Sequence, residues 1–259
     1  MSALEDVAAW LRGARRVVYL CGAGLSVPSG IRAYRSGPDA VWSEYLLEWG
    51  TRRKFLEAPA AWWKTFWLGA HGELLKTGIH PNAGHIALVT LTKRDANDLI
   101  ITQNIDGLQR VAGQPEAQLI EIHGRHDRFI CASDGTCPGI EEAVPSVDLS
   151  KVDGGVFPPC ARCGAPMRPL VLLFDESYDG HEQFQAHRAR RALDDAEVIV
   201  FVGTSFSVGI TSSAIRSADV SGARVVNVNP ERAPFPRVTE LNDGAEVVLP
   251  KLAALLREG

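Results

Sequence analysis

What most limits the folds open to this chain is a series of short apolar runs, each closing on small or polar residues. Residues 16–21 lead into Gly22-Ala23-Gly24, residues 98–101 into Thr102-Gln103-Asn104, and residues 119–122 into His123-Gly124. Further on, 170–174 lead into Asp175-Glu176, 198–202 into Gly203-Thr204-Ser205, and 224–228 into Asn229-Pro230, with 245–249 completing the set. These runs are almost continuously apolar and rich in β-branched residues, as strands covered on both faces must be. Helical patterns lie between many of them. Ser2 and Glu5 make a capping box ahead of the apolar face of residues 7–11, and 85–93, 183–194 and 251–257 show helix-like spacing. Strand and helix in alternation predict an α/β fold with a doubly wound, parallel, Rossmann-like sheet. In such sheets a ligand sits beyond the carboxyl ends of the strands, where the polar residues just named fall.

Two stretches break the alternation. Residues 36–80 carry Trp42, Trp49, Trp62, Trp63 and Trp67 among helix formers, and residues 125–167 carry four clustered cysteines with little periodicity. We expect these to build a smaller inserted domain, part helical and part cysteine module. Residues 1–35, 81–124 and 168–259 then form the larger domain. With 259 residues, 46% hydrophobic and 22% charged, the chain has material for a sizeable core. A formal charge of −4 argues against direct nucleic-acid binding, which needs clustered Lys and Arg. No apolar run approaches the roughly 18 residues of a membrane span, and the N-terminus lacks the plan of a signal peptide. The expected location is cytoplasmic.

In a reducing compartment clustered cysteines bind metal more often than they pair as disulfides. Cys131-x5-Cys137 and Cys160-x2-Cys163 can close a tetrahedron round one Zn²⁺; with four sulfur ligands such a site is closed and structural. Cys21 stands alone in an apolar run and reads as a small core residue.

Each remaining motif has two readings. Glycines 22 and 24, directly after a strand, suit either the approach of a pyrophosphate or a plain strand-to-helix turn, and the third glycine of the usual dinucleotide fingerprint is replaced by Val27. Thr102-Gln103-Asn104-Ile105-Asp106-Gly107 offers amides and a carboxylate for a carboxamide and ribose hydroxyls, or forms an Asx-rich turn. His123 can serve as a general base near neutral pH or as a structural histidine, and His126 with Asp127 offers a metal site of little support. Gly203-Thr204-Ser205 and Asn227-Val228-Asn229 present small polar groups at the same sheet edge, as ordinary turns also would.

In order, these motifs are more specific than any one of them. Gly-Ala-Gly-Leu-Ser with Ser-Gly-Ile-Arg-Ala-Tyr-Arg, then Pro81-Asn82-Ala83-Gly84-His85, Thr-Gln-Asn-Ile-Asp-Gly, His-Gly, the four cysteines, Arg168-Pro169, Phe174-Asp175-Glu176, Gly-Thr-Ser and Asn-Val-Asn resemble the sirtuin family over about residues 14 to 250. The resemblance implies NAD as co-substrate. Gly22, Ala23, Gly24, Ser26, Tyr34 and Arg35 match its phosphate and ribose contacts and the shield of the nicotinamide pocket, and Gln103, Asn104, Ile105 and Asp106 match that pocket itself. Gly203, Thr204, Ser205, Asn227, Val228, Asn229 and Ala245 match the adenosine end. The implied catalytic residues are His123, as general base, and Asn104. Three departures stand out: Tyr34 where the family most often has Phe, Arg32 where many members have Pro, and Asp175 for the usual Gly of a segment that pairs with substrate backbone.

The activity implied is NAD-dependent deacylation of protein lysine. The acyl oxygen attacks the ribose anomeric carbon as nicotinamide leaves, the base helps a ribose hydroxyl pass the acyl group on, and water frees lysine and O-acyl-ADP-ribose. The partner is an acyl-lysine protein or peptide. ADP-ribose transfer to protein, or NAD hydrolysis, is the alternative that Tyr34 and Asp175 keep open. Members that prefer acidic acyl groups resemble one another in a Tyr-x-x-Arg pair. Its place falls on Trp67 and Ala70 here, so the expected acyl group is acetyl or a longer neutral one.

Overall fold

The computed structural model describes residues 2–32, 44–75, 78–133 and 135–257. Tyr34, Arg35 and Trp42 lie outside them. Six strands form one parallel sheet: β1 (Val17–Cys21), β2 (Leu99–Thr102), β3 (Leu119–Glu121), β6 (Val198–Val202), β7 (Arg224–Val228) and β8 (Val238–Leu241). Their spatial order is β3-β2-β1-β6-β7-β8, so the direction of winding reverses between β1 and β6. The other two strands, β4 (Gly124–Cys131) and β5 (Met167–Val171), pair antiparallel as a separate two-stranded sheet.

Alternation along each strand sends neighbours to opposite faces, and both faces are covered. Val17, Tyr19 and Cys21 join Val198, Val200 and Val202 under the helices Ala3–Gly13 and Ala245–Arg257, with Leu88 and Leu91 of the helix Ala83–Thr92. Cys21 is fully buried, a core residue as expected. Val18, Leu20, Ile199 and Phe201 turn to the opposite face, where Ala189 and Leu193 of Ala186–Asp194 and Ile210 and Ala214 of Gly209–Ser221 cover them. The capping box forms: Ser2 Oγ accepts the Glu5 amide, and the Glu5 carboxylate accepts the Ser2 amide.

Two expected strands are placed otherwise. Residues 245–249 begin the helix Ala245–Arg257, because a five-residue apolar run has no period by which to tell a strand from a buried helix. The run 170–174 overlaps β5, which is buried along its whole length but pairs with β4 outside the parallel sheet. The sixth place is taken by β8, a half-buried edge strand without an apolar run to announce it. The helix Gly209–Ser221, small and polar in composition, also goes unsignalled.

A third hydrophobic cluster joins the two stretches that break the pattern. Phe55, Trp62, Trp63, Phe66 and Trp67 pack with Phe129, Cys131, Cys137, Val152 and Met167. A π-helical turn spans Trp62–Trp67, and Trp62, Trp63, Phe66 and Trp67 on it are all buried. Trp63 Nε1 donates to the Met167 carbonyl at 2.8 Å and Trp62 Nε1 to that of Trp49 at 2.7 Å, so the buried indoles are satisfied.

Where β1 and β6 end, two turns touch backbone to backbone. The Gly22 amide donates to Val202 O at 2.9 Å and the Gly24 amide to Gly203 O at 2.8 Å. A Cβ on Gly24 would stand 2.8 Å from Gly203 Cα; Gly203 itself has φ +57°, and a Cβ there would reach the Leu25 nitrogen at 2.5 Å. Gly203→Ala is therefore expected to cost more than about 2 kcal/mol from strain and collision together. Gly72→Ala, with φ −57° and open space around it, should change stability by under about 1 kcal/mol. Urea denaturation of the two variants checks the contrast; equal losses would mean the turn contact contributes nothing special.

Candidate active site

The register aligns the strand ends. Cys21 is level with both Thr102 and Val202, and Val202 with Val228, so the loops after β1, β2, β6 and β7 leave along one edge. Side-chain amides lace them together. Gln103 Nε2 donates to Cys21 O at 3.1 Å and Thr204 Oγ1 at 3.3 Å, and Asn229 Nδ2 donates to Thr204 O at 3.1 Å. Asn104 Nδ2 donates to Gly22 O at 3.0 Å and Ser26 Oγ at 3.2 Å, and the buried Ser26 hydroxyl donates to Asp106 Oδ2 at 2.7 Å. With its NH₂ spent on the protein, Asn104 has the Oδ1 acceptor left to offer a ligand.

These residues line a cavity at the switch point. Gly22, Ala23, Gly24 and Ser26 stand in its wall with Gln103, Asn104, Ile105, Asp106, His123, Gly203, Thr204 and Ser205. Among the described residues, the remaining candidates are not brought there. Asn227 is fully buried and donates to Glu231 O at 2.9 Å and Glu240 Oε2 at 2.7 Å, which pins the loop after β7 to the edge strand. Val228 is core, Asn229 reaches the site through Thr204 only, and Ala245 is buried at the start of its helix.

His123 follows β3. Its Nδ1 lies 2.9 Å from the Gln103 carbonyl, which can only accept, so the ring proton sits on Nδ1 and Nε2 carries the lone pair. Nε2 lies 3.4 Å from the Tyr178 hydroxyl, and the two rings stack at 5.8 Å and 13°. Burial pushes the His123 pKa down to about 4 against the raising effect of the Gln103 carbonyl, so the imidazole is neutral at physiological pH. His126 hydrogen-bonds the Ile105 carbonyl at 2.7 Å and Asp127 pairs with Arg125 and Arg110, which gives neither the set of a metal centre.

The far wall includes Trp67, the expected place of the acyl-specificity pair, and Arg32, with neighbours that had no signal of their own. Ile31, Arg32, Leu46, Phe66, Trp67, His71 and Leu74 close it on one side, and 171–174 on the other. Trp67 stacks on His71 at 4.6 Å, and burial together with the Arg32 charge holds His71 near 4. Trp62 and Trp63 are buried in the third cluster and do not line the cavity. Asp175, the departure in the Phe-Asp-Glu segment, turns its carboxylate to the amides of Arg52 and Arg53 at 2.6 and 3.0 Å. It caps the helix Arg52–Glu57, while Glu176 pairs with buried Arg168 at 2.5 Å.

Cys131, Cys137, Cys160 and Cys163 come together with all four sulfurs within 4.8 Å of one another. The Cys131–Cys163 and Cys137–Cys160 sulfurs are 3.5 and 3.8 Å apart, close to the ~3.8 Å edge of a tetrahedron with 2.3 Å Zn–S bonds. The donor set fits one structural zinc.

The family model described as "Sir2 family" matches residues 22–209. A Dictyostelium discoideum protein named NAD-dependent deacetylase sir2E is 36% identical over 236 residues, 87% of this chain and 68% of that one. An NAD-dependent protein deacylase of Thermus thermophilus is 33% identical over 262 residues, 96% of this chain and 95% of its own length. Among solved structures, a Sir2 homologue–NAD complex shares 27% identity at a TM-score of 0.81, covering 98% of this chain and 94% of that one. A Sir2–p53 peptide–NAD⁺ complex shares 26% at 0.76, covering 100% and 98%.

Metal analysis is expected to find one zinc per chain, and Cys163→Ser to lower both metal content and thermal stability, because breaking such a site removes folding energy directly. Pure protein without zinc and with unchanged stability would discard the assignment.

Proposed function

Because the chain belongs to the Sir2 family, we propose that it is an NAD-dependent protein-lysine deacylase, releasing nicotinamide, free lysine and O-acyl-ADP-ribose. The observation that carries this is the neutral, Nδ1-protonated His123 in the wall of a cavity also lined by Gln103, Asn104 and Asp106, at the switch point of a parallel sheet. The residues present suit the nucleotide. Gly22, Ala23, Gly24 and Ser26 offer a turn in which the protein already uses three amides internally, those of Gly22, Gly24 and Ser26, and Thr204 and Ser205 offer hydroxyls on the opposite lip. Asn227, Val228, Asn229 and Ala245 would act on the adenosine end by holding that lip in place. Tyr34 and Arg35 we assign to the nicotinamide shield and phosphate end by their sequence position.

When bound, NAD supplies an electrophilic ribose carbon and a leaving nicotinamide. The chain's own part is to position and deprotonate. Asn104 and Gln103, held by their amide hydrogens, present carbonyl oxygens to the cavity. Asp106 is oriented by Ser26 Oγ at 2.7 Å and the Leu108 amide at 2.9 Å. His123 Nε2 takes a ribose-hydroxyl proton in the acyl-transfer step, a contribution of about 10²–10⁴-fold. A base with a lowered pKa keeps its lone pair well below neutral pH. The apolar wall excludes water that would otherwise consume the activated ribose. Asp175, committed to the amides of Arg52 and Arg53, does not line the cavity.

The same wall bears on the acyl group. Phe66, Trp67 and neutral His71 provide apolar surface, where each buried CH₂ contributes about 0.8 kcal/mol and an unpaired carboxylate costs several kcal/mol. The substrate is a protein or peptide, and a net charge of −4 supports neither nucleic acid nor membrane as a partner. Among the described residues no helix is long and apolar enough to cross a membrane. A cytoplasmic location suits thiols gathered for zinc. We divide the chain as 1–35, 81–124 and 168–259 around the nucleotide, and 36–80 with 125–167 around the aromatic and cysteine core. The third cluster supports this, with Val171 and Leu173 reaching across.

His123→Ala is expected to lower deacylation of an acetyl-lysine peptide at saturating NAD by about 10²-fold or more, with fold and zinc retained. Near-normal turnover would end its role as base. In a matched peptide panel, acetyl and butyryl should exceed succinyl in kcat/KM by about tenfold or more. A succinyl preference would point instead to Arg32 as a carboxylate partner. Nicotinamide released from NAD without any peptide would favour hydrolysis.

A further inference from the structure

Outside the nucleotide loops, Tyr178 stands in a polar turn, Ser177-Tyr178-Asp179-Gly180, with no signal in the sequence. The ring is parallel to that of His123, and its hydroxyl meets Nε2 at 3.4 Å, the one nitrogen with a free lone pair. From the other side the Ile210 amide donates to the same hydroxyl oxygen at 3.2 Å. Ile210 lies in the first turn of Gly209–Ser221, whose capping position, Val208, has no side-chain acceptor, so this amide is one that the helix itself leaves unbonded.

The bonds therefore run in one direction: Ile210 N–H to Tyr178 O, Tyr178 O–H to His123 Nε2, and His123 Nδ1–H to Gln103 O. The amide occupies the phenol oxygen as acceptor and turns the hydroxyl proton toward the imidazole. A protonated Nε2 has no lone pair to accept the hydroxyl proton, so this bond exists only with the neutral imidazole. We propose that Tyr178 is a positioning residue for His123, holding the imidazole by stacking and by a hydrogen bond that only the unprotonated base can accept, until the substrate hydroxyl takes its place. This rests on the reading of His123 as general base. Around the ring, Tyr178 is the only titratable side chain among the described residues within hydrogen-bond reach, and Gln103 contributes a backbone carbonyl.

The sign follows. A bond made to the neutral form disfavours protonation, so deleting it raises the His123 pKa and moves the acid limb of activity to higher pH. Tyr178→Phe keeps the stacked ring and removes the hydroxyl. Expected is an upward shift of about half a pH unit in the His123 Cε1–H titration by NMR, the lower end of what one neutral hydrogen bond gives. The acid limb of kcat/KM for an acetyl-lysine peptide should move by the same amount. Exchange of labelled nicotinamide into NAD in the presence of peptide, which precedes the step needing the base, should be unchanged. Incorporating 3-fluorotyrosine, a stronger donor of the same shape, should move the titration the opposite way and serves if the Phe variant folds poorly. An unmoved His123 titration in both proteins overturns the inference about Tyr178. The base reading is judged separately: normal turnover by His123→Ala ends it, whatever Tyr178 does to the ring.

Discussion

The contact on which the site depends is the backbone-to-backbone packing of the turn after β1 against the turn after β6. In a sheet wound in opposite directions from its middle, these turns border the crevice, and their separation sets its shape. Here they meet without side chains between them, through Gly22, Gly24 and Gly203, with two amides already donating across the junction. The glycines thus have a structural role of their own in holding the two turns together. Loops from β2 and β7 are then tied to this pair, by Gln103 and Asn104 on one side and Asn229 on the other. The polar rim of the cavity is consequently fixed before any nucleotide arrives.

Preorganisation and desolvation act together on His123. A histidine in water would be partly protonated near neutrality, but burial lowers its pKa to about 4 and the Gln103 carbonyl selects the tautomer. The same enclosure that makes it an available base also makes it dependent on its neighbours for orientation. Its opposite wall comes from a different source. The aromatic cluster around Trp62–Trp67 and the four cysteines share one core, so that the zinc-type cluster and the apolar end of the cavity stand on common foundations. Asp175 fastens segment 171–174 to that core through the helix Arg52–Glu57.

Much of this was legible because it depends on local or repeated patterns. Apolar runs ending in small polar residues report strands buried on both faces and the edge where ligands gather. Four cysteines in two spaced pairs report a metal set whatever the intervening loop does. The order of the motifs carries the family. Residues 245–249 and 170–174 show the limit: five apolar residues have the same composition in a parallel strand, an antiparallel strand and a buried helix, and only the partner decides.

The sequence alone determined the sheet's alternating plan, the candidates for its polar edge, and the chemistry those residue types can do. Tertiary structure decided which of them share a cavity. Asn227 has the amide expected of a ligand contact, yet its neighbours Glu231 and Glu240 turn it into a bracket for the loop. Tyr178, silent in the sequence, lies against His123 with its hydroxyl accepting an amide that the helix Gly209–Ser221 leaves unbonded. Residue type fixes what a group can donate or accept; long-range packing fixes what stands within hydrogen-bond reach of it, and no local pattern records that.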